Sequence, residues 1–210
     1  MVGFGYTDKP DPATFDYSQP ARVEHLRAFL AAMRIERASF IGNSMGGATA
    51  LGLAVSHPAA VERLVLMGSA GLNATIHADL LPVLNYDFTR PGMVRLIQAL
   101  VHRGFEIDDA LVDYRLARSL EPATRAAYGA TMQWIRSQGG LAYPPEVIGR
   151  VRCPTLVVNG KQDKVVPLAH AYRFLELIED SWGWIVPHCG HWAMIEQPEA
   201  FARACLEFLR

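Results

Sequence analysis

Three residues of this chain have the types and order to break a bond by nucleophilic attack. Ser44 lies in "FIGNSMGGATAL", where Gly42, Ser44 and Gly46 spell G-x-S-x-G. In that pattern the serine sits on a sharp strand-to-helix turn that exposes its hydroxyl. A serine hydroxyl attacks poorly until a base takes its proton, and the base needs an acid to orient it. Asp163, in "NGKQDKVVP", and His191, in "PHCGHWAMIE", have the chemistry for those two roles. The intervals are 119 residues from Ser44 to Asp163 and 28 from Asp163 to His191. Nucleophile, acid, then base is one of the chain orders in which this trio recurs. The Met45 N–H, next after the serine, is the expected oxyanion donor.

Each residue also has an ordinary reading. Ser44 would be a small residue in a tight turn, and Asp163 an Asx-turn residue. His188 competes with His191 on the same loop. His25, His57, His77, His102 and His170 fall within or beside expected helices and read as surface residues.

The elements around the trio decide in favour of chemistry. "ASFIG" (38–42), "RLVLMG" (63–68), "PTLVVNG" (154–160) and "WGWIVP" (182–187) are short apolar runs that read as buried strands. Helical patterns run over Pro20–Met33, Met45–Ser56, Leu168–Ile178 and Pro198–Leu209. Helix and strand alternate, which implies parallel strands joined by helical crossovers. Ser44, Asp163 and His191 then each emerge at a strand's carboxyl end, on one edge of the sheet. Flanking glycines are expected to be required for close packing at the elbow.

Between about 76 and 146 the alternation stops. Helical patterns over Met93–Val101, Asp108–Leu120 and Thr124–Ser137 carry no convincing strand, and "GGLAYPP" (139–145) closes the segment. The expected organisation is therefore a first part of the core at 1–75, a helical lid at 76–146 and a second part of the core at 147–210. An insertion there caps the strand ends, where open α/β sheets bind ligands.

Composition narrows the classes. Half the 210 residues are hydrophobic, and 20 basic against 21 acidic residues give a formal charge of −1. No long basic run offers a nucleic-acid surface. No apolar stretch approaches the roughly 20 residues that span a bilayer. The N-terminus "MVGFGYTDKP" lacks the pattern of a secretory signal. Cys153, Cys189 and Cys205 are odd in number and widely spaced, which fits a reducing cytoplasm. No metal-ligand spacing and no phosphate-binding glycine loop is present, so neither metal nor cofactor is expected.

At these residues the chain resembles the α/β-hydrolase superfamily. More narrowly, it is similar to the meta-cleavage product hydrolases, which split a carbon–carbon bond in 2-hydroxy-6-oxo-hexa-2,4-dienoates. The supporting stretches, "MVGFGYTDKP", "GNSMGGATAL", "RLVLMGSAGL", "GKQDKVVPL" and "CGHWAMIEQPEAFARACLEFL", run the length of the chain; "GNSMGGATAL" and "CGHW" are the specific ones. The resemblance implies a Ser44–Asp163–His191 triad, with Asn43 and Trp192 in the substrate pocket. It also implies a lid arginine, Arg115, gripping the dienoate's oxygens. A small-molecule substrate, no cofactor and a homodimer follow in the same way. The implied chemistry is ketonisation of the dienol, then attack on the distal ketone by Ser44 or by water activated by His191. A carboxylic-ester hydrolase on the same triad is the sibling reading. Arg115 also has a plain reading as a solvated helix charge beside Asp113 and Arg118.

The chain departs from that family at its beginning. Family members place four strands before the nucleophile strand, whereas one helix and a loop precede "ASFIGNS" here. No H-G-x-G-like segment supplies a second oxyanion N–H. The resemblance thus implies a partial, N-terminally truncated α/β-hydrolase fold: the C-terminal half of a mostly parallel sheet, about four strands, with an inserted helical lid. "ASFIG" becomes an open edge, and activity is expected to be impaired. A non-catalytic fragment or degenerate paralogue is the reading from another class.

Overall fold

A computed structural model describes residues 1–73 and 75–210. Four strands form one sheet: β1 (Ala38–Asn43), β2 (Val61–Met67), β5 (Thr155–Gly160) and β6 (Ser181–Val186). They lie in that spatial order and every neighbouring pair is parallel. The apolar runs are strands because both faces of the sheet are covered. Leu64, Leu66 and Val157 point into one core, with Leu51 and Leu53 of helix α2 (Met45–Ser56) and Phe174 of α8 (Leu168–Leu177). Val65, Met67, Leu156 and Val158 point to the other, beneath Cys205 of α10 (Pro198–Leu209). The period-2 alternation of side chains feeds both cores from the same strands.

β1 is one of the two edge strands. Ile41 pairs in register with Val65 yet is 50% exposed. The expected open, apolar edge is found there. An uncovered apolar strand of this kind presents unpaired backbone groups.

The segment after β2 folds differently. β3 (Leu72–Asn73) and β4 (Leu141–Ala142) make a two-residue antiparallel ribbon. This corrects the strandless reading of the insertion, for two residues carry no detectable period. Between them run α3 (Leu81–Leu84), α4 (Arg90–Leu100), α5 (Asp109–Ser119) and α6 (Pro122–Ser137), and a short α7 (Pro145–Ile148) leads back to the sheet. α4 starts before its apolar pattern does, because Thr89 Oγ1 accepts the Gly92 N–H and caps it. Helix α1 (Gln19–Ala32) is tied to the insertion by the buried Arg22, which donates to Tyr17 O and to Thr131 Oγ1 of α6.

The turn from β1 into α2 is built on close backbone approach. A Cβ on Gly42 would lie 2.6 Å from both Gly46 O and Gly47 Cα, which are backbone atoms that cannot swing aside. Gly46 differs: an added Cβ there meets no heavy atom within 4 Å. The packing requirement therefore falls on Gly42 and, against Ser69, on Gly47. Gly42→Ala should destabilise the fold by roughly 1–3 kcal/mol, as overpacking does. Gly46→Ala, in a helix, should be neutral or gain up to about 1 kcal/mol. Urea unfolding midpoints of the two variants check the contrast.

Candidate active site

Ser44 follows β1 directly and holds φ 54°, ψ −120°. A serine rarely adopts this left-handed backbone, which costs on the order of 1–3 kcal/mol. The neighbours over-determine it: Ser44 N–H donates to Met67 O, and Ser44 O accepts from Ala48 and Ala70 N–H. No acceptor among the described residues takes the Met45 N–H, which opens α2 beside the hydroxyl.

Asp163 and His191 come from the loops after β5 and β6. His191 Nδ1 lies 2.7 Å from Asp163 Oδ2, with both side chains fully buried. The other carboxylate oxygen, Oδ1, accepts the Val165 and Val166 N–H groups at 2.8 Å each. The Asx turn and the hydrogen bond to His191 thus coexist in one side chain. The bond to Nδ1 leaves Nε2 to face the cavity.

Gly68, at the end of β2, completes the row of strand ends. Its φ is +45°, and an added Cβ would lie 2.9 Å from His191 Nδ1 and 3.0 Å from Asp163 Oδ2. The Asp–His pair therefore rests on a bare α-carbon. In sequence Gly68 is only the end of an apolar run.

Ser44, Met45, Asn43, His191, Trp192 and Arg115 all line one cavity of about 440 Å³. That size suits a small organic ligand. Ser44 Oγ and His191 share the cavity without a hydrogen bond between them. Asn43 Nδ2 donates to Met67 O at 3.0 Å and to His191 O at 3.3 Å, so its amide also ties β2 to the histidine loop. The Arg115 guanidinium stacks over the Trp192 ring at 4.6 Å from its centroid. No carboxylate among the described residues pairs with it, and its Nε is buried without a partner. Burial lowers its pKa from the usual guanidinium value, with Tyr128 and Tyr86 opposing. The neighbouring charges on its helix are engaged elsewhere: Asp113 with Arg90, and Arg118 over Tyr6.

The other histidines separate clearly. His188, the rival, is exposed at φ 53°. His77 and His170, read as surface residues, sit closer in: His77 Nε2 contacts Val165 O at 3.1 Å, and His170 has a buried, unpartnered Nδ1.

Glu196, at the end of α9 (Ala193–Glu196), is not legible in sequence as a functional residue. Its carboxylate accepts the N–H groups of Gly190 (2.9 Å), Trp192 (3.1 Å) and His102 (2.7 Å). It clamps the loop on both sides of His191 and binds that loop to the end of α4. His191 N–H adds a bond to Leu100 O at 2.6 Å. Only the folded loop gathers these donors, so spacing alone carries no signal. Glu196→Ala leaves three N–H groups without their acceptor. It should cost about 1–3 kcal/mol in urea unfolding and slow any reaction that uses His191, with Glu196→Gln between it and the native chain.

Comparison with known proteins agrees with this fold. Residues 1–198 match the family model described as the alpha/beta hydrolase fold. The chain is 60% identical over 210 residues to the 2-hydroxy-6-oxo-6-(2′-aminophenyl)hexa-2,4-dienoic acid hydrolase of Metapseudomonas resinovorans, covering all of this chain and 71% of that protein. It is 36% identical over 211 residues to the 2-hydroxymuconate semialdehyde hydrolase of Pseudomonas putida, covering 74% of it. Among solved structures, a serine hydrolase involved in carbazole degradation, CarC, superposes with a TM-score of 0.89 at 57% identity, over all of this chain and 76% of that one. The meta-cleavage product hydrolase CumD of Pseudomonas fluorescens IP01, as a serine-to-alanine mutant complexed with acetates, gives a TM-score of 0.91 at 32% identity, over all of this chain and 77% of that one.

Proposed function

The chain belongs to the α/β-hydrolase family and, within it, to the hydrolases of 2-hydroxy-6-oxo-hexa-2,4-dienoates, and we propose that it cleaves the carbon–carbon bond beside the 6-oxo group of such a dienoate. One observation carries the reading beyond generic hydrolysis. Arg115, a guanidinium with no carboxylate among the described residues, is stacked on Trp192 in the same cavity as Ser44 and His191. A desolvated cation in a mostly apolar pocket calls for an anion, and a guanidinium fork suits a carboxylate beside an enol or ketone. An ester substrate has no need of it.

In this reading His191 and the lid's polar groups first move the enol proton, giving the 2,6-dioxo form. Ser44 Oγ attacks the 6-oxo carbon while its proton passes to His191 Nε2. Asp163 holds the imidazole tautomer and stabilises the imidazolium. The new alkoxide faces the Met45 N–H. Collapse of the adduct breaks the carbon–carbon bond. Its electron pair leaves as an enolate delocalised onto the 2-oxo group, and His191 returns the proton. Water deprotonated by His191 then hydrolyses the acyl-serine, releasing a carboxylic acid and restoring Ser44. In the same proposal residues 76–146 act as the lid, and the site is a cytoplasmic one, where the three free cysteines stay reduced.

Loss of the dienoate's absorbance tests the reading. Arg115→Ala should lower kcat/KM for the dienoate 10- to 100-fold or so, the worth of a charge-assisted hydrogen bond. Hydrolysis of a simple aryl ester should change little. Equal losses on both substrates, or a native chain that never consumes dienoate, would overturn it.

A further inference from the structure

The turn that carries Asp163 is held from two sides. From the sheet, Asn159 Nδ2 in β5 donates to Gly160 O at 3.1 Å and to Val166 O at 3.4 Å. From the insertion, His77 Nε2 lies 3.1 Å from Val165 O. His77 stands just before the short helical turn Ala78–Leu80, 88 residues away in sequence from that valine. A carbonyl oxygen only accepts, so Nε2 carries the proton and His77 is the donor.

The bond lands on one particular peptide group. Its carbonyl is that of Val165, and its N–H is that of Val166, which donates to Asp163 Oδ1 at 2.8 Å. The other carboxylate oxygen, Oδ2, faces His191 Nδ1 at 2.7 Å. A chain of hydrogen bonds therefore runs from His77, through one peptide and one carboxylate, to the imidazole of the site. Bonds linked in this way polarise one another, so donation by His77 strengthens the Val166 N–H as a donor to Asp163. Val165 and Val166 are buried and also line the cavity. A shift of their backbone moves the carboxylate and the cavity wall together.

His170 of α8 adds no cation beside this chain. Burial, and then the nearness of His77, push its pKa below the ordinary histidine value, with Asp163 opposing. At neutral pH it is uncharged.

We propose that His77 is a positioning residue for the acid. By holding the Val165–Val166 peptide it sets how firmly Asp163 grips His191, and it ties that grip to the seating of the insertion. The inference rests on the reading above only in taking His191 as the base for Ser44; the identity of the substrate does not enter. A plain anchor would stabilise the insertion and leave the Asp163–His191 pair unchanged.

Three variants separate the two roles. His77→Gln keeps an N–H donor. His77→Leu removes the donor and keeps bulk, and His77→Ala removes it without adding apolar surface. One readout is the far-downfield proton resonance of His191 Nδ1–H, assigned by its loss in Asp163→Asn. The other is the rate at which a fluorophosphonate labels Ser44. His77→Leu and His77→Ala should shift the resonance and slow labelling roughly two- to tenfold, the worth of one hydrogen bond. His77→Gln should stay close to the native chain in both. Urea midpoints, taken alongside, show that each variant folds. A lowered midpoint with both readouts native makes His77 an anchor and overturns the proposal. Equal effects from Gln and Leu overturn it too, because the donor would then be irrelevant. If the native chain takes no label, the activation of Ser44 by His191 fails, and the resonance alone decides the role of His77.

Discussion

The buried hydrogen bond between Asp163 and His191 is the interaction on which the rest of the site depends. At 2.7 Å, with both side chains out of water, it fixes which imidazole nitrogen is free. The fold contributes to it from three strand ends at once. β5 delivers the carboxylate and two N–H groups that hold it; β6 delivers the imidazole; β2 contributes the absence of a side chain, at Gly68. Parallel strands make this convergence possible because all their carboxyl ends lie on one edge. Ser44, at the end of β1, shares that edge.

The same loop is bolted to the insertion. Glu196 gathers N–H groups from both sides of His191 and from His102, and His191 N–H reaches Leu100 O. The histidine's position therefore depends on the end of α4, an element outside the sheet. Arg115 of α5 meets Trp192, the residue after that histidine, by stacking. The insertion thus packs against the histidine loop at two points, and under the proposed mechanism this would couple substrate grip to the geometry of the base.

Much of this is legible in the sequence, and the exceptions share a cause. The four sheet strands read clearly because burial on both faces leaves continuous apolar runs. α2 is bounded at Met45 and Ser56 in sequence and structure alike, since its small residues are framed by the elbow and by Pro58. Ser44, Asp163 and His191 can be linked because each lies just past such a run. The β3–β4 ribbon is invisible: its pairing of residue 72 with residue 142 is long-range and leaves no local period. Gly68 and Glu196 escape sequence reasoning for the same reason. Each acts through neighbours distant in sequence: a bare Cα under a hydrogen-bonded pair, a carboxylate among backbone donors. Gly46, conspicuous in the motif, is the least constrained of the elbow glycines.

The account turns on Ser44 being made nucleophilic by the Asp163–His191 pair within this chain. The most direct measurement is labelling of the native 210-residue protein with a fluorophosphonate, read by intact mass and peptide mapping. The account predicts one adduct per chain, on Ser44, and its loss when His191 is replaced by alanine. No adduct, or a Ser44 adduct that forms as fast without His191, would contradict it.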